Sequence, residues 1–294
     1  MREMKGIYPA TVTAFDADGA LDTEAMRRIV RHQLDAGVHG LYICGGTGEG
    51  LLLTVEERLR AIETVVDEVS GRAGVIAHIG AFRIDETMAV ARRAGDLGVD
   101  AVAALPPSYF YVPDTAGLIE HYTELAAAAT APLLIYNLPQ RTGVTMTKEL
   151  FDPLMQLDNV IGMKDSSGNV KELGSFMTDH PDAVIFNGED TVLVAGLLAG
   201  ACGGIGATYN VMPDLYVQLW GAVQTGDMET LERTHARMHQ IWKACLSVDL
   251  FGGVKQTLAW MGLPCGAPRR PLRPLTADDT ALLRRNLEAI DFFA

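Results

Sequence analysis

Lysine is scarce in this chain, with six in 294 residues, and cysteine is scarcer still, with four. Cys44, Cys202, Cys245 and Cys265 show neither C-x-x-C nor zinc-site spacing. That argues against a disulfide scaffold and for a reduced, cytoplasmic setting. Basic charge is also short: the formal net charge of −13 argues against nucleic acid or an anionic membrane as the main partner. An anionic small substrate stays open, because a few local cations and backbone N–H groups can override the global sign. There is no G-x-S-x-G elbow, which removes the common serine hydrolase reading. Of the seven histidines only His78 falls in a β-rich run, with Asp190 and Glu49 as distant companions, so no metal site is expected. Met1 to Ala10 has no apolar h-region, and no signal peptide is expected.

Charge is missing altogether from Thr191 to Val211, a stretch about long enough to span a bilayer. Five glycines interrupt it, and Tyr209-Asn210 closes it with polar groups. A short buried helix running into a buried strand explains it better than a membrane span.

Against these absences stands a regular alternation. β-rich runs recur at Gly6–Thr13, Gly40–Cys44, Val75–Ile79, Ala101–Leu105, Leu133–Tyr136, Val160–Lys164, Ala183–Asn187 and Gly204–Thr208. Most are nearly continuous apolar runs, as strands covered on both faces should be. Amphipathic segments lie between them, among them Thr54–Val69, Asp85–Leu97 and Asp114–Ala128. Thr54-Val55-Glu56-Glu57 reads as an N-cap with acidic residues in the first turn. Eight βα units predict an α/β protein, a (β/α)8 TIM barrel with a C-terminal helical extension. The barrel is expected over residues 1–212, with its last helix following, and the extension over 213–294. Helices are expected at Asp214–Val223, Asp227–Ser247, Phe251–Met261 and Thr276–Ile290.

Barrel enzymes place reactive groups at the C-terminal ends of their strands. Lys164 is the one lysine that closes an apolar run, Val160-Ile161-Gly162-Met163-Lys164. Burial disfavours the charged form of an amine, and the neutral amine is the nucleophile that makes an imine with a ketone. An ion pair with Asp165 or a neighbouring carboxylate is the competing reading. Tyr136 ends the preceding strand and would face the same cavity, where a phenol can shuttle protons; an ordinary buried tyrosine with a satisfied hydroxyl is the alternative. The turn Gly45-Gly46-Thr47-Gly48-Glu49-Gly50 exposes backbone N–H groups that can cradle a carboxylate or phosphate. It lacks the Lys-Ser/Thr ending of a P-loop. Glu49 is expected to tie this loop down rather than react. Arg141 sits at the mouth, as a carboxylate clamp or as a solvated loop residue. Tyr109, Phe110 and Tyr111 form an aromatic loop after the fourth strand.

Together these motifs resemble one family: dihydrodipicolinate synthase and N-acetylneuraminate lyase, the pyruvate-dependent class I aldolases. Gly45-Gly46-Thr47-Gly48-Glu49 is similar to the family's G-[TS]-T-G-E loop, Tyr136-Asn137-Leu138-Pro139 to its Y-N-x-P motif, and Gly162-Met163-Lys164-Asp165 to its Schiff-base strand. The resemblance runs from Gly6 to about Met261. It implies that Lys164 forms an imine with pyruvate, that Tyr136 is the acid/base, and that Thr47 with the amides around Gly46 holds the pyruvate carboxylate. No other cofactor and no metal are implied. An aromatic residue after the fourth strand, matched to Tyr109 with Tyr111 as the alternative, would reach a neighbouring subunit's site. A homo-oligomer, dimer or tetramer, is implied with it.

The second substrate, an aldehyde, is less sharply marked. Asn187-Gly188-Glu189-Asp190 and Gly203–Asn210 are similar to the sialic acid lyase branch, which places Gly188, Asp190 and Ile205 among the substrate-binding positions. Yet Thr191 and Ala207 stand where that branch has Glu and Ser, which argues against N-acetylneuraminate itself. The run from Tyr136 to Thr142 is similar to the synthase, whose arginine, here Arg141, grips a second carboxylate. Gly46 replaces the synthase's relay threonine, and Leu52 to Arg58 lacks the histidines of its feedback site. A carboxylate-bearing 2-keto acid is expected. A 2-keto-3-deoxy sugar acid, and a barrel that binds a keto acid without catalysis, are the alternatives.

Overall fold

The computed structural model describes residues 2–108 and 112–293; Tyr109 and Tyr111 lie outside them. The chain alternates β1 (Gly6–Pro9), α1 (Thr23–Asp35), β2 (Gly40–Ile43), α2 (Val55–Val69), β3 (Gly74–His78), α3 (Ile84–Ala94), β4 (Ala101–Ala104) and α4 (Thr115–Ala128). It continues with β5 (Leu133–Asn137), the short α5 (Pro139–Thr142), α6 (Lys148–Leu154), β6 (Val160–Asp165), α7 (Val170–Asp179), β7 (Val184–Asn187), α8 (Leu193–Leu198) and β8 (Gly203–Gly206). Then come α9 (Pro213–Thr225), α10 (Met228–Cys245), α11 (Leu250–Trp260) and α12 (Ala277–Glu288). All ladder pairs are parallel, in the order β1-β8-β7-β6-β5-β4-β3-β2. The ring closes where Ala10 bridges Tyr42 and His39 donates its N–H to Ile7 at 3.0 Å. This is the expected (β/α)8 barrel with a C-terminal helical extension.

One detail departs from the sequence reading, and one expectation is met. The first strand ends at Pro9 rather than Thr13: Ala10 and Thr11 still touch β2 and β8 through single backbone bonds, but from Val12 on the chain turns to other partners, the Val12 N–H meeting Asn210 and the Thr13 hydroxyl the Gly48 carbonyl. The uncharged stretch before residue 211 holds α8 and β8, and among the described residues no helix is long and apolar enough to cross a membrane. The cap read at Thr54 is a full capping box with Glu57. Residues of α10 and α11, such as Ile241, Trp242, Val254 and Leu258, belong to the same core as the barrel helices.

One irregularity decides where the central lysine points. Between β5 and β6 the register shifts: Leu133 faces Val160, but Leu134 faces Gly162. Side chains of a strand alternate between faces, so one extra residue reverses everything beyond it. Ile161 packs toward the barrel interior and Met163 toward the helices. Without the bulge, Met163 would point inward and Lys164 outward. Gly162 carries the bulge at φ 151°, and a Cβ there would lie 2.1 Å from the Val184 carbonyl oxygen. Gly162→Ala is therefore expected to cost about 1–3 kcal/mol from overlap and a similar amount from backbone strain. Chemical denaturation checks this, and an unchanged midpoint would mean that the strand accepts the side chain.

Candidate active site

Lys164 stands in register with Tyr136 across β5 and β6, and is 4% exposed. Its Nζ lies 4.2 Å from the centroid of the Tyr136 ring and 4.4 Å from that of Tyr42. Among the described residues the lysines in ion pairs are Lys5, Lys148 and Lys255. Asp165, the obvious partner by sequence, faces away: its carboxylate accepts from Asn137 Nδ2 at 2.7 Å and from the Ser167 N–H and hydroxyl at 3.0 Å each. The ion-pair reading of Lys164 thus finds no carboxylate. An amine held among aromatic rings, with no carboxylate against it among the described residues, is placed to act as a nucleophile in its neutral form.

The surroundings keep that amine without a competing cation close by. His78, from the end of β3, lies edge-on to Tyr136 with ring centroids 5.9 Å apart, and Tyr42 sits 6.1 Å from Tyr136. Burial, with the charges of Arg58 and Lys164 adding to it, pulls the His78 imidazole down to about 3. It is neutral at physiological pH. Burial pushes the Tyr42 phenol well above its ordinary value, so Tyr42 offers a ring and a hydroxyl, not a phenolate. The Tyr136 hydroxyl has no hydrogen-bond partner among the described residues. The sequence reading missed Tyr42 as a wall of this cluster, although its position three residues before the glycine turn was a usable signal.

The glycine turn leaves β2 against the same ring, with Gly45 packed on Tyr42. The Glu49 N–H closes on the Gly46 carbonyl and the Gly50 N–H on Gly45, both at 3.0 Å. Gly46, Thr47 and Gly48 make no backbone N–H bond within the described residues, nor does the Thr47 hydroxyl. Three donors and a hydroxyl on one turn make a cradle for an oxyanion. A side chain at Gly46 would meet nothing within 4 Å, so the missing hydroxyl there leaves open space. Arg58 braces the turn from α2, donating to the carbonyls of Gly50, Ile79 and Gly80.

The rim gathers the remaining expected positions. Arg141, exposed in α5, reaches over the Phe251 ring at 5.8 Å, which brings α11 of the extension beside α5. Gly188 follows β7, and a Cβ there would lie 2.2 Å from Ser166 Oγ and 3.0 Å from Lys164 Cε. Only a bare backbone fits beside the lysine stem. The Asp190 carboxylate is engaged internally, accepting from the Ala207 N–H at 3.2 Å and from the Thr208 N–H and hydroxyl at 2.8 and 2.6 Å. The Ile205 side chain is fully buried in the barrel interior with Tyr8 and Phe186, and its main chain lies in the β8 ladder opposite Tyr8. Tyr109 cannot be placed, as it lies outside the described residues.

A barrel with a buried strand-end amine, a phenol beside it and an oxyanion cradle defines a class, the lysine-based barrel lyases. The chain belongs to the dihydrodipicolinate synthetase family, whose model matches residues 3–290. It is 38% identical to a DapA-like lyase of Halobacterium salinarum over 97% of this chain and 93% of that one. It is 35% identical to an N-acetylneuraminate lyase of Rhizobium meliloti, over 96% and 94%. A structure of the sialic acid aldolase of Ruminococcus gnavus, a catalytic lysine mutant, superposes with a TM-score of 0.93 at 32% identity, covering 99% of this chain and 97% of that one. The chain is accordingly a carbon–carbon lyase of the class I aldolase type.

Proposed function

We propose that Lys164 condenses with the C2 carbonyl of pyruvate, losing water to form an imine, and that this imine is the pivot of a reversible aldol reaction. Removing a proton from C3 of the imine gives an enamine, whose C3 forms the new C–C bond with an aldehyde carbon. In reverse, the same bond breaks and the aldehyde leaves. Tyr136 carries the proton, its unbonded hydroxyl lying on the ring next to Nζ. The cradle of Gly46 and Thr47 holds the pyruvate carboxylate. The observation that carries this reading is the buried amine of Lys164, without a carboxylate partner, between two tyrosine rings. The lysine called catalytic in the Ruminococcus enzyme supports it.

The acceptor end favours a small or carboxylate-bearing partner. Asp190 bonds to the loop after β8, and the Thr191 hydroxyl donates to Glu189 at 2.9 Å, so neither is free for a row of sugar hydroxyls. Arg141 can take a carboxylate at the mouth. The relatives named N-acetylneuraminate lyase keep a 2-keto-3-deoxy sugar acid as the second reading. The lysine imine stands in place of an external cofactor. Exposed Leu51 in the turn after the glycine loop, Ile84 at the start of α3 and Val112 before α4 support a homo-oligomer. Free cysteines support a cytoplasmic setting.

A panel of 2-keto-3-deoxy acids and of aldehydes with pyruvate tests the reading, followed by pyruvate release or consumption. Turnover with at least one member is expected; binding of pyruvate without turnover of any would leave a keto-acid-binding barrel. Arg141→Ala should raise the acceptor's KM by about 10- to 100-fold, the worth of a charged bidentate contact, while pyruvate's KM stays nearly constant. Equal effects on both would remove Arg141 from the acceptor site.

A further inference from the structure

Lys255 is a second buried lysine, and it belongs to the extension. Its Nζ lies 2.5 Å from Glu49 Oε1, with side-chain exposures of 2% and 0%. The other Glu49 oxygen accepts the Arg269 N–H at 2.6 Å. Both oxygens of a carboxylate in the cradle turn are thus held by residues more than two hundred positions further along the chain. The Arg269 guanidinium completes the grip: it binds both oxygens of Glu57 at 2.7 Å and the carbonyls of Leu52 and Gly19 at 3.0 and 2.7 Å. Lys255 and Arg269 both lie over the Phe15 ring, at 4.4 and 4.3 Å.

Glu49 sits where the turn needs holding. Its φ of 54° is in the left-handed region, unusual for a side chain of this kind and kept only when the surroundings enforce it. Its N–H and that of Gly50 close the turn on Gly46 and Gly45. That closure leaves the amides of Gly46, Thr47 and Gly48 unbonded. Burying an ion pair gains little stability over apolar groups of the same shape, but removing one partner is severe. Such a pair serves better as a fixed point for geometry than as a source of stability.

We propose that the C-terminal extension sets the shape of the carboxylate cradle through Lys255 and the Arg269 main chain, which makes Lys255 and Glu49 positioning residues for the substrate carboxylate. This rests on the lysine-imine reading above. Neither residue takes part in the reaction; they fix the corner from which the cradle amides point.

The test is borohydride trapping across a range of pyruvate concentrations, which separates half-saturation from the maximal adduct on Lys164. Lys255→Met should raise the half-saturating pyruvate concentration by about 10- to 100-fold, as small misplacements of a binding group do, with little change in maximal adduct. If Lys255→Met does not fold, Glu49→Gln alone serves: it keeps the size but sets an amide N–H against Lys255 or the Arg269 N–H, and should shift half-saturation in the same direction. A wild-type half-saturation in either folded single variant, with only a lower melting temperature, would overturn the positioning role and leave the imine reading standing. No adduct in the wild-type protein would overturn the imine reading, and the positioning role with it.

Discussion

Replacing Lys164 by Met is expected to lower turnover by on the order of 10⁴-fold or more, because the covalent step loses its nucleophile. The same change should leave the fold intact and raise its stability by about 1–3 kcal/mol, since a buried amine without an anionic partner is exchanged for an apolar side chain of similar length. The pairing of these two effects is the informative part. Among the described residues Lys164 touches the Tyr42 and Tyr136 rings and no carboxylate, so Met can fill the space without orphaning a charge. A lysine in a structural ion pair would behave oppositely, losing several kcal/mol when removed. Loss of stability alongside full activity would assign Lys164 to the scaffold.

Tyr136→Phe should slow turnover by about 10²- to 10⁴-fold, the range for a lost general acid or base. The substitution removes one hydroxyl, and that hydroxyl has no hydrogen-bond partner among the described residues. The ring keeps its edge contacts with Tyr42 and His78. Stability should therefore stay within about 0.5 kcal/mol. A steady-state rate like that of the unsubstituted protein would make Tyr136 a packing residue.

Much of this architecture was legible from the chain alone, for a physical reason. Strands of a parallel barrel are covered on both faces, so each shows as an apolar run, and every strand but the first falls within a residue or two of its expected bounds. Lys164 and Tyr136 stood out because they end such runs, and the structure sets them side by side. What stayed hidden depends on geometry that no local pattern encodes. The bulge at Gly162 reverses the alternation that a strict two-residue period would give, so sequence could place Lys164 on the strand but not aim it. Phe251, Lys255 and Arg269 reach Arg141 and Glu49 from the extension across more than a hundred residues. Asp190 reads as a ligand by motif, yet its carboxylate holds the loop after β8.

The most direct measurement is to incubate the protein with pyruvate, reduce with borohydride, digest it and map the adduct by mass spectrometry. A single reduced pyruvyl group on the peptide that contains Lys164, absent without pyruvate, is the expected result. Unmodified protein, or a modification on Lys255 or any surface lysine instead, would contradict imine chemistry at the end of β6.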